Sequence, residues 1–430
     1  MFRMARRALL VLGVLASMLL VGGPDPGAAA PRPEAGLGRV TQISVGDGEA
    51  CAVVSQRAYC WGDESGGFGQ VGNGPSTAAL GRAQPVVDVN GSGALTQVID
   101  VAAGDHFACA IASPNRTAYC WGRNDVGQLG NGGGPTSHSP VAVTRSATQT
   151  LTNVRQIDAD GSTACAVVVD NFAAPIGALK RVYCWGEGDS GQLGNDTGND
   201  SARAGAPVKW DDPSGRPGSP LQNLNGLTQV TVGASHACAT QSGGNVWCWG
   251  QNGAMDFGNW HAIRVVVDGQ PFCCATTVDA GGGSTCAVKD AGGERRAYCW
   301  GANGAGQLGV GTLEDTFQPA EVQAPSGDAD LTGVSAIGVG QNGACAALVT
   351  SGRTYCWGGI LSDGASPWPI AVRNPSDTGE LRNIRQLAVG STACGRLANL
   401  QLRCWGPGTG GTLGNGSTSF AGTPVVVLRP

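Results

Sequence analysis

From residue 40 onward the apolar positions fall in short runs, separated by clusters of Gly, Pro, Asn, Asp and Ser, and no stretch holds a helical period of useful length. Each run reads as a strand and each cluster as a turn. The runs recur in a fixed order. Cys-Trp-Gly occurs seven times, beginning at Cys60, Cys120, Cys184, Cys248, Cys299, Cys356 and Cys404, at spacings of 48 to 64 residues. A second Cys motif precedes each copy, as in Val45-Gly46-Asp47-Gly48-Glu49-Ala50-Cys51-Ala52 and Ala103-Gly104-Asp105-His106-Phe107-Ala108-Cys109-Ala110. Its other copies centre on Cys165, Cys238, Cys286, Cys345 and Cys394. After most copies of Cys-Trp-Gly comes a glycine-rich turn such as Gly127-Gln128-Leu129-Gly130-Asn131-Gly132, then a Pro-Val run such as Pro140-Val141-Ala142-Val143. Repeats of this length, built from strands and turns, predict an all-β fold.

The composition agrees, with 71 Gly, 23 Pro and only 6% aromatic residues. The amino-terminal stretch is different. Arg3, Arg6 and Arg7 precede an apolar run from Ala8 to Val21, which Gly22-Gly23-Pro24 breaks before Ala28-Ala29-Ala30. This is the layout of a secretory signal peptide, and the run is shorter than the roughly 20 residues a membrane-spanning helix needs. Residues 1–30 are therefore expected to be a signal peptide, 31–39 a flexible leader and 40–430 the folded domain, exported or held at the cell surface or in a periplasm. Without Arg3, Arg6, Arg7 and Asp25, the 27 basic and 32 acidic residues become 24 and 31. That acidic balance argues against nucleic acid as a partner.

The order of valine-rich strand, Gly-x-x-x-x-Cys-Ala, turn, Tyr-Cys-Trp-Gly, Gly-Gln-Leu-Gly-Asn-Gly and Pro-Val, spanning residues 40–428, resembles the regulator of chromosome condensation repeat. The resemblance implies a seven-bladed β-propeller, and seven copies are present. It looks like a secreted, bacterial-type member. Two units depart from the pattern, at Ala254-Met255-Asp256-Phe257-Gly258-Asn259 and at Gly359-Ile360-Leu361-Ser362-Asp363-Gly364, where altered loops are expected. The Gly-Trp-Arg-His-Thr signature of ultraviolet photoreceptors of this superfamily is missing, which argues against photosensing.

Sixteen Cys in an exported chain favour a disulfide framework. If the two Cys motifs of a unit are neighbouring strands of a hairpin, the midpoints between them must be turns. Those midpoints include Ser55-Gln56, Pro114-Asn115, Gly243 and Gly292-Gly293, all turn-forming. Opposed Cys lie within disulfide reach. The expected bridges are Cys51 to Cys60, Cys109 to Cys120, Cys165 to Cys184, Cys238 to Cys248, Cys286 to Cys299, Cys345 to Cys356 and Cys394 to Cys404. Zinc ligation would need clustered ligands, which the spacing does not supply. Cys273 and Cys274 stand outside the repeat; a strained vicinal disulfide, with a rigid loop as its consequence, is one option for them.

Candidate chemistry is sparse. Four His occur, and His106 and His236, just before Cys109 and Cys238, are expected to share a buried structural hydrogen bond in the turn. No metalloprotease, nucleophile-elbow or P-loop motif is present. Gly67-x-Gly69-x-x-Gly72 matches a dinucleotide pattern but lies in the repeated turn with no helix after it. Asp158-Ala159-Asp160 and Asn195-Asp196-Thr197-Gly198-Asn199-Asp200 read as solvated turns, since neither has full calcium-loop spacing. The seven repeat Trp read as packing against the disulfides. Trp210, Trp247, Trp260 and Trp368 break the repeat, and Trp210, Trp260 and Trp368 are the candidate partner-binding residues, because departures from a repeat map to loops that often bind. The resulting expectation is a monomeric, non-enzymatic, secreted module with no cofactor and no catalytic or metal residues. Its partner would be an extracellular or envelope protein, or a glycan. The alternative is a hydrolase or lyase at the central channel. Guanine-nucleotide exchange is disfavoured by the export signal.

Overall fold

The computed structural model describes residues 36–75, 81–170, 179–211, 221–252, 260–361 and 364–430. The expected signal peptide, and residues 31–35 of the expected leader, lie outside them. The chain forms a seven-bladed β-propeller with almost no helix; the described residues hold a single short 3-10 turn, Thr409–Gly411. Each blade is an antiparallel sheet of consecutive strands, as in blade one: Val40–Val45, Glu49–Val54, Arg57–Gly62 and Gln84–Pro85. The first strands of blades two to seven are Val98–Ala103, Val154–Asp160, Leu227–Val232, Ala275–Gly281, Val334–Val339 and Ile384–Val389, and together the seven line a central channel.

The Cys register is as expected. Cys51 sits directly opposite Cys60, and the same holds in every blade. All seven intrablade disulfides are formed, with Cα atoms 4.0–4.1 Å apart. Two further regularities were not expected from the sequence. Each first strand has a bulge just after its opening residue, for example between Val40 and Gln42 and between Val154 and Gln156. The residue before each first strand is left-handed: Arg39, Gln97, Asn153, Gly226, Cys274, Gly333 and Asn383 all have φ between 58° and 76°. A bulge adds local twist, and a left-handed residue turns the chain sharply into the strand.

Blades are joined by the repeat tryptophans. Trp121 Nε1 donates to the Gln70 carbonyl in the glycine turn of the preceding blade, at 2.8 Å. Trp185, Trp249 and Trp357 donate likewise to Gln128, Gln192 and Gln307. Trp61 donates to the Thr412 carbonyl of blade seven at 2.8 Å, which carries the seam across the ring closure. The indole lies against the last glycine of the turn it bonds: a Cβ at Gly130 or Gly194 would come within 3 Å of the Trp185 or Trp249 ring. Expected to pack against the disulfides, the seven repeat Trp each cluster with the disulfide of the preceding blade, so packing and bonding fall on the same seam. Trp300 and Trp405 face the two blades with departing turns, and their indole N–H groups have no acceptor among the described residues.

Side chains on the first strands add a second seam at the channel. Gln156 accepts from the Val230 N–H and donates to its carbonyl, and Gln229 does the same to Val278. Closure needs no strand exchange between termini, since blade seven is built entirely from carboxy-terminal strands ending in Ala421–Val426. Leu37 N–H donates to the Val427 carbonyl at 2.9 Å, Gly36 bridges Leu428, and Leu37 is buried. Residues 36–39, expected in the leader, therefore belong to the propeller.

Candidate binding site

Two concavities stand out, one axial and one at the rim. The channel has a volume of about 370 Å³ and is lined by all seven first strands. Asp158 and Asp160, read from sequence as a solvated turn, instead end the first strand of blade three and face this channel. The misreading has a physical cause: a channel-lining strand alternates like any half-buried strand, and Asp158-Ala159-Asp160 is that alternation. Asp158, opposite Cys165, accepts the Val232 N–H of blade four at 2.8 Å; Asp279, opposite Cys286, accepts the Val339 N–H of blade six at 2.8 Å. Asp160 reaches past blade four to the Gly282 N–H at 2.9 Å. Burial pushes the Asp100 and Asp160 carboxyls up to about 6 and Asp279 to about 7, and raises Asp158 well above the usual carboxylate range. These acids are engaged in holding blades together.

Of the two predicted turn His, His236 makes the expected buried hydrogen bond and His106 does not. They are one residue out of phase, since Phe107, not His106, is the counterpart of His236 at the start of the second strand. His236 is fully buried, with Nε2 2.7 Å from Thr285 Oγ1 of blade five, and burial lowers its pKa to about 4. His106 is only half-buried, stacked on Phe68 and 3.2 Å from Gln70 Nε2. Among the described residues no group of three or more His, Cys, Asp and Glu is placed to hold a metal ion.

The rim concavity, of about 600 Å³, lies where blades three and four meet. Lys209–Trp210 and Gln222–Asn223 form a small hairpin on blade three, and Trp210 bridges Ala262 of blade four. Trp210 and Trp247 meet at 73° with ring centroids 5.1 Å apart. Around them stand Asp211, Gln222, Asn223, Asn245 and Arg264.

The structure separates the three candidate tryptophans. Trp210 is half-buried in this cavity. Trp260, 51% exposed, lies over Gly191 and Gly198 of blade three, and Trp368, 39% exposed, over Gly311 and Gly327 of blade five. Near Trp368 in sequence and blade, Ile370 is exposed, as is Phe317 of blade five at 63%. Phe317 was missed because it sits at a repeat-phased strand position where nothing in the sequence marks it as outward. Cys273 and Cys274 stand outside the seven bridges, with their sulfurs 2.6 Å apart.

Models of the regulator of chromosome condensation (RCC1) repeat match residues 117–167, 181–240 and 296–347, and a second model of the same repeat matches 98–128 and 227–258. Those segments carry RCC1 repeats. The first of these matches runs from the third strand of one blade into the second strand of the next, so the repeat contains the seam. Over 415 residues the chain is 27% identical to the ultraviolet-B receptor UVR8 of Arabidopsis thaliana, covering 90% of this chain and 82% of that one. It is 27% identical to human E3 ubiquitin-protein ligase HERC2 over 288 residues, 65% of this chain but only 5% of that protein. Among solved structures, Prp20p of Saccharomyces cerevisiae superposes with a TM-score of 0.61 at 19% identity, covering 86% of this chain and 85% of that one. Both matched relatives are eukaryotic. No helix among the described residues is long and apolar enough to cross a membrane.

Proposed function

We propose that this RCC1-repeat propeller is an exported, non-catalytic interaction module, a secreted member of bacterial type, that binds an extracellular or envelope protein at its blade seams. The observation that carries the reading is the exposure of Trp260, Phe317 and Trp368 on blades four to six, outside the positions the repeat needs for packing. Large aromatics in such places supply much of the energy of protein interfaces. A scaffold of the same fold binds proteins: Prp20p binds Gsp1p and histones. Chemistry at the channel is less well supported, because Asp158, Asp160 and Asp279 are each tied to a backbone N–H of another blade. The seven disulfides suit an oxidising compartment.

The test is affinity capture from secreted and envelope fractions with the oxidised chain, followed by affinity measurements with Trp260→Ala and Trp368→Ala. At least one variant, still folded, is expected to lose about thirtyfold in affinity, the equivalent of about 2 kcal/mol. Parental binding by both would remove the seams as the interface.

A further inference from the structure

We propose that the rim cavity between Trp210 and Trp247 takes a neutral pyranose disaccharide. This site is separate from the exposed Trp260 and Trp368 rings and does not depend on their binding a protein. Its walls combine what a sugar needs. Two indoles meeting at 73° form an apolar corner for the C–H face of a pyranose ring. Side chains around that corner offer donors and acceptors for hydroxyls. Those of Asp211, Gln222 and Asn223 have no hydrogen-bond partner among the described residues, Asn223 being engaged through its backbone alone. Asn245 Oδ1 accepts from the Arg264 guanidinium, which leaves its amide N–H groups for a ligand. The indole N–H of Trp247 is spent on Gln241 Oε1 at 3.1 Å, so that ring presents carbon. The volume of about 600 Å³ falls within the roughly 300–1,000 Å³ of ordinary ligand sites.

Charge and backbone narrow the occupant. One carboxylate, Asp211, and one guanidinium, Arg264, line the cavity and cancel, which favours an uncharged ligand. An extended peptide would add to a free strand edge. Lys209–Trp210, at the centre of the site, has no free edge, since it pairs with Gln222–Asn223 on one side and on the other the Ala262 N–H donates to the Lys209 carbonyl.

The experiment is titration calorimetry of the full oxidised chain with cellobiose, lactose, mannobiose and diacetylchitobiose. At least one is expected to bind saturably with Kd of about 1 mM or tighter. Trp210→Ala is expected to weaken it at least tenfold, as is Asp211→Ala, a change at an exposed side chain; Phe420→Ala, on blade seven, is expected to bind like the parent. Absence of binding by all four sugars overturns the proposal, as does parental affinity in folded Trp210→Ala. If Trp210→Ala does not fold, parental affinity in Asp211→Ala overturns it. None of these readouts uses the captured protein, so failure here and failure of the seam interface are distinct results.

Discussion

A repeat tryptophan and a turn glycine on different blades form one joint, which is why two motifs so far apart recur together. The Trp185 indole bonds the Gln128 carbonyl and rests on Gly130. Trp405 has no such acceptor among the described residues. Trp185→Phe should therefore destabilise by about 1–3 kcal/mol, since a buried carbonyl loses its donor, whereas Trp405→Phe should cost clearly less. Urea unfolding of the two variants decides it, and equal losses would refute the joint. The same scale sets the pH response. Carboxyls raised to about 6 and 7 at Asp100, Asp160 and Asp279 stay protonated while their unfolded counterparts ionise. Their contribution is fully present below about pH 4 and is lost as pH rises through 6 to 7. His236, lowered to about 4, works the other way, costing stability as pH falls from about 6.5. The acids outnumber it, so the melting temperature should rise from pH 8 to pH 5, and Asp279→Asn should flatten that slope.

Strands and hairpins were the most legible level. The turn midpoints fixed the opposed Cys because a hairpin has only one register that puts both motifs side by side. What escaped was the entry to each blade. Arg39, Gln97, Asn153, Gly226, Cys274, Gly333 and Asn383 share a left-handed backbone but no side-chain type, so no motif announces them. Gly226→Val forces a β-branched residue into that region and should cost at least about 1–2 kcal/mol, measurable by thermal or urea unfolding. Cys273 and Cys274 fall at the same entry in blade five, where Cys274 has φ 67°. The Trp seams escaped for a different reason: donor and acceptor are 50 to 57 residues apart within the chain, and 351 apart at the closure.

The ring as a whole is closed without covalent help between blades. Every disulfide lies inside one blade, while the seams are indole bonds, channel-side amides and acids, and the contacts of Gly36 and Leu37 with Val427 and Leu428. A chain ending at residue 373 lacks blade seven, takes away the Thr412 acceptor of Trp61 and uncovers two sheet faces. It should melt at lower temperature and self-associate, as calorimetry and size-exclusion chromatography would report. A monomeric truncation with parental melting would contradict cooperative closure. The count of seven blades was readable from the motifs; the joining of the termini was not, because Gly36 and Leu37 look like the loose leader before them.

The proposed export and the stability of each blade both require the oxidised framework. The measurement that tests it most directly is non-reducing peptide mapping of the protein isolated from its own host, with the mature amino terminus sequenced in the same sample. The expected result is seven links, Cys51 to Cys60 through Cys394 to Cys404, each within one blade, on a chain that has lost the apolar run Ala8 to Val21. Free thiols at most of these fourteen positions, links between blades, or an intact amino terminus would contradict it.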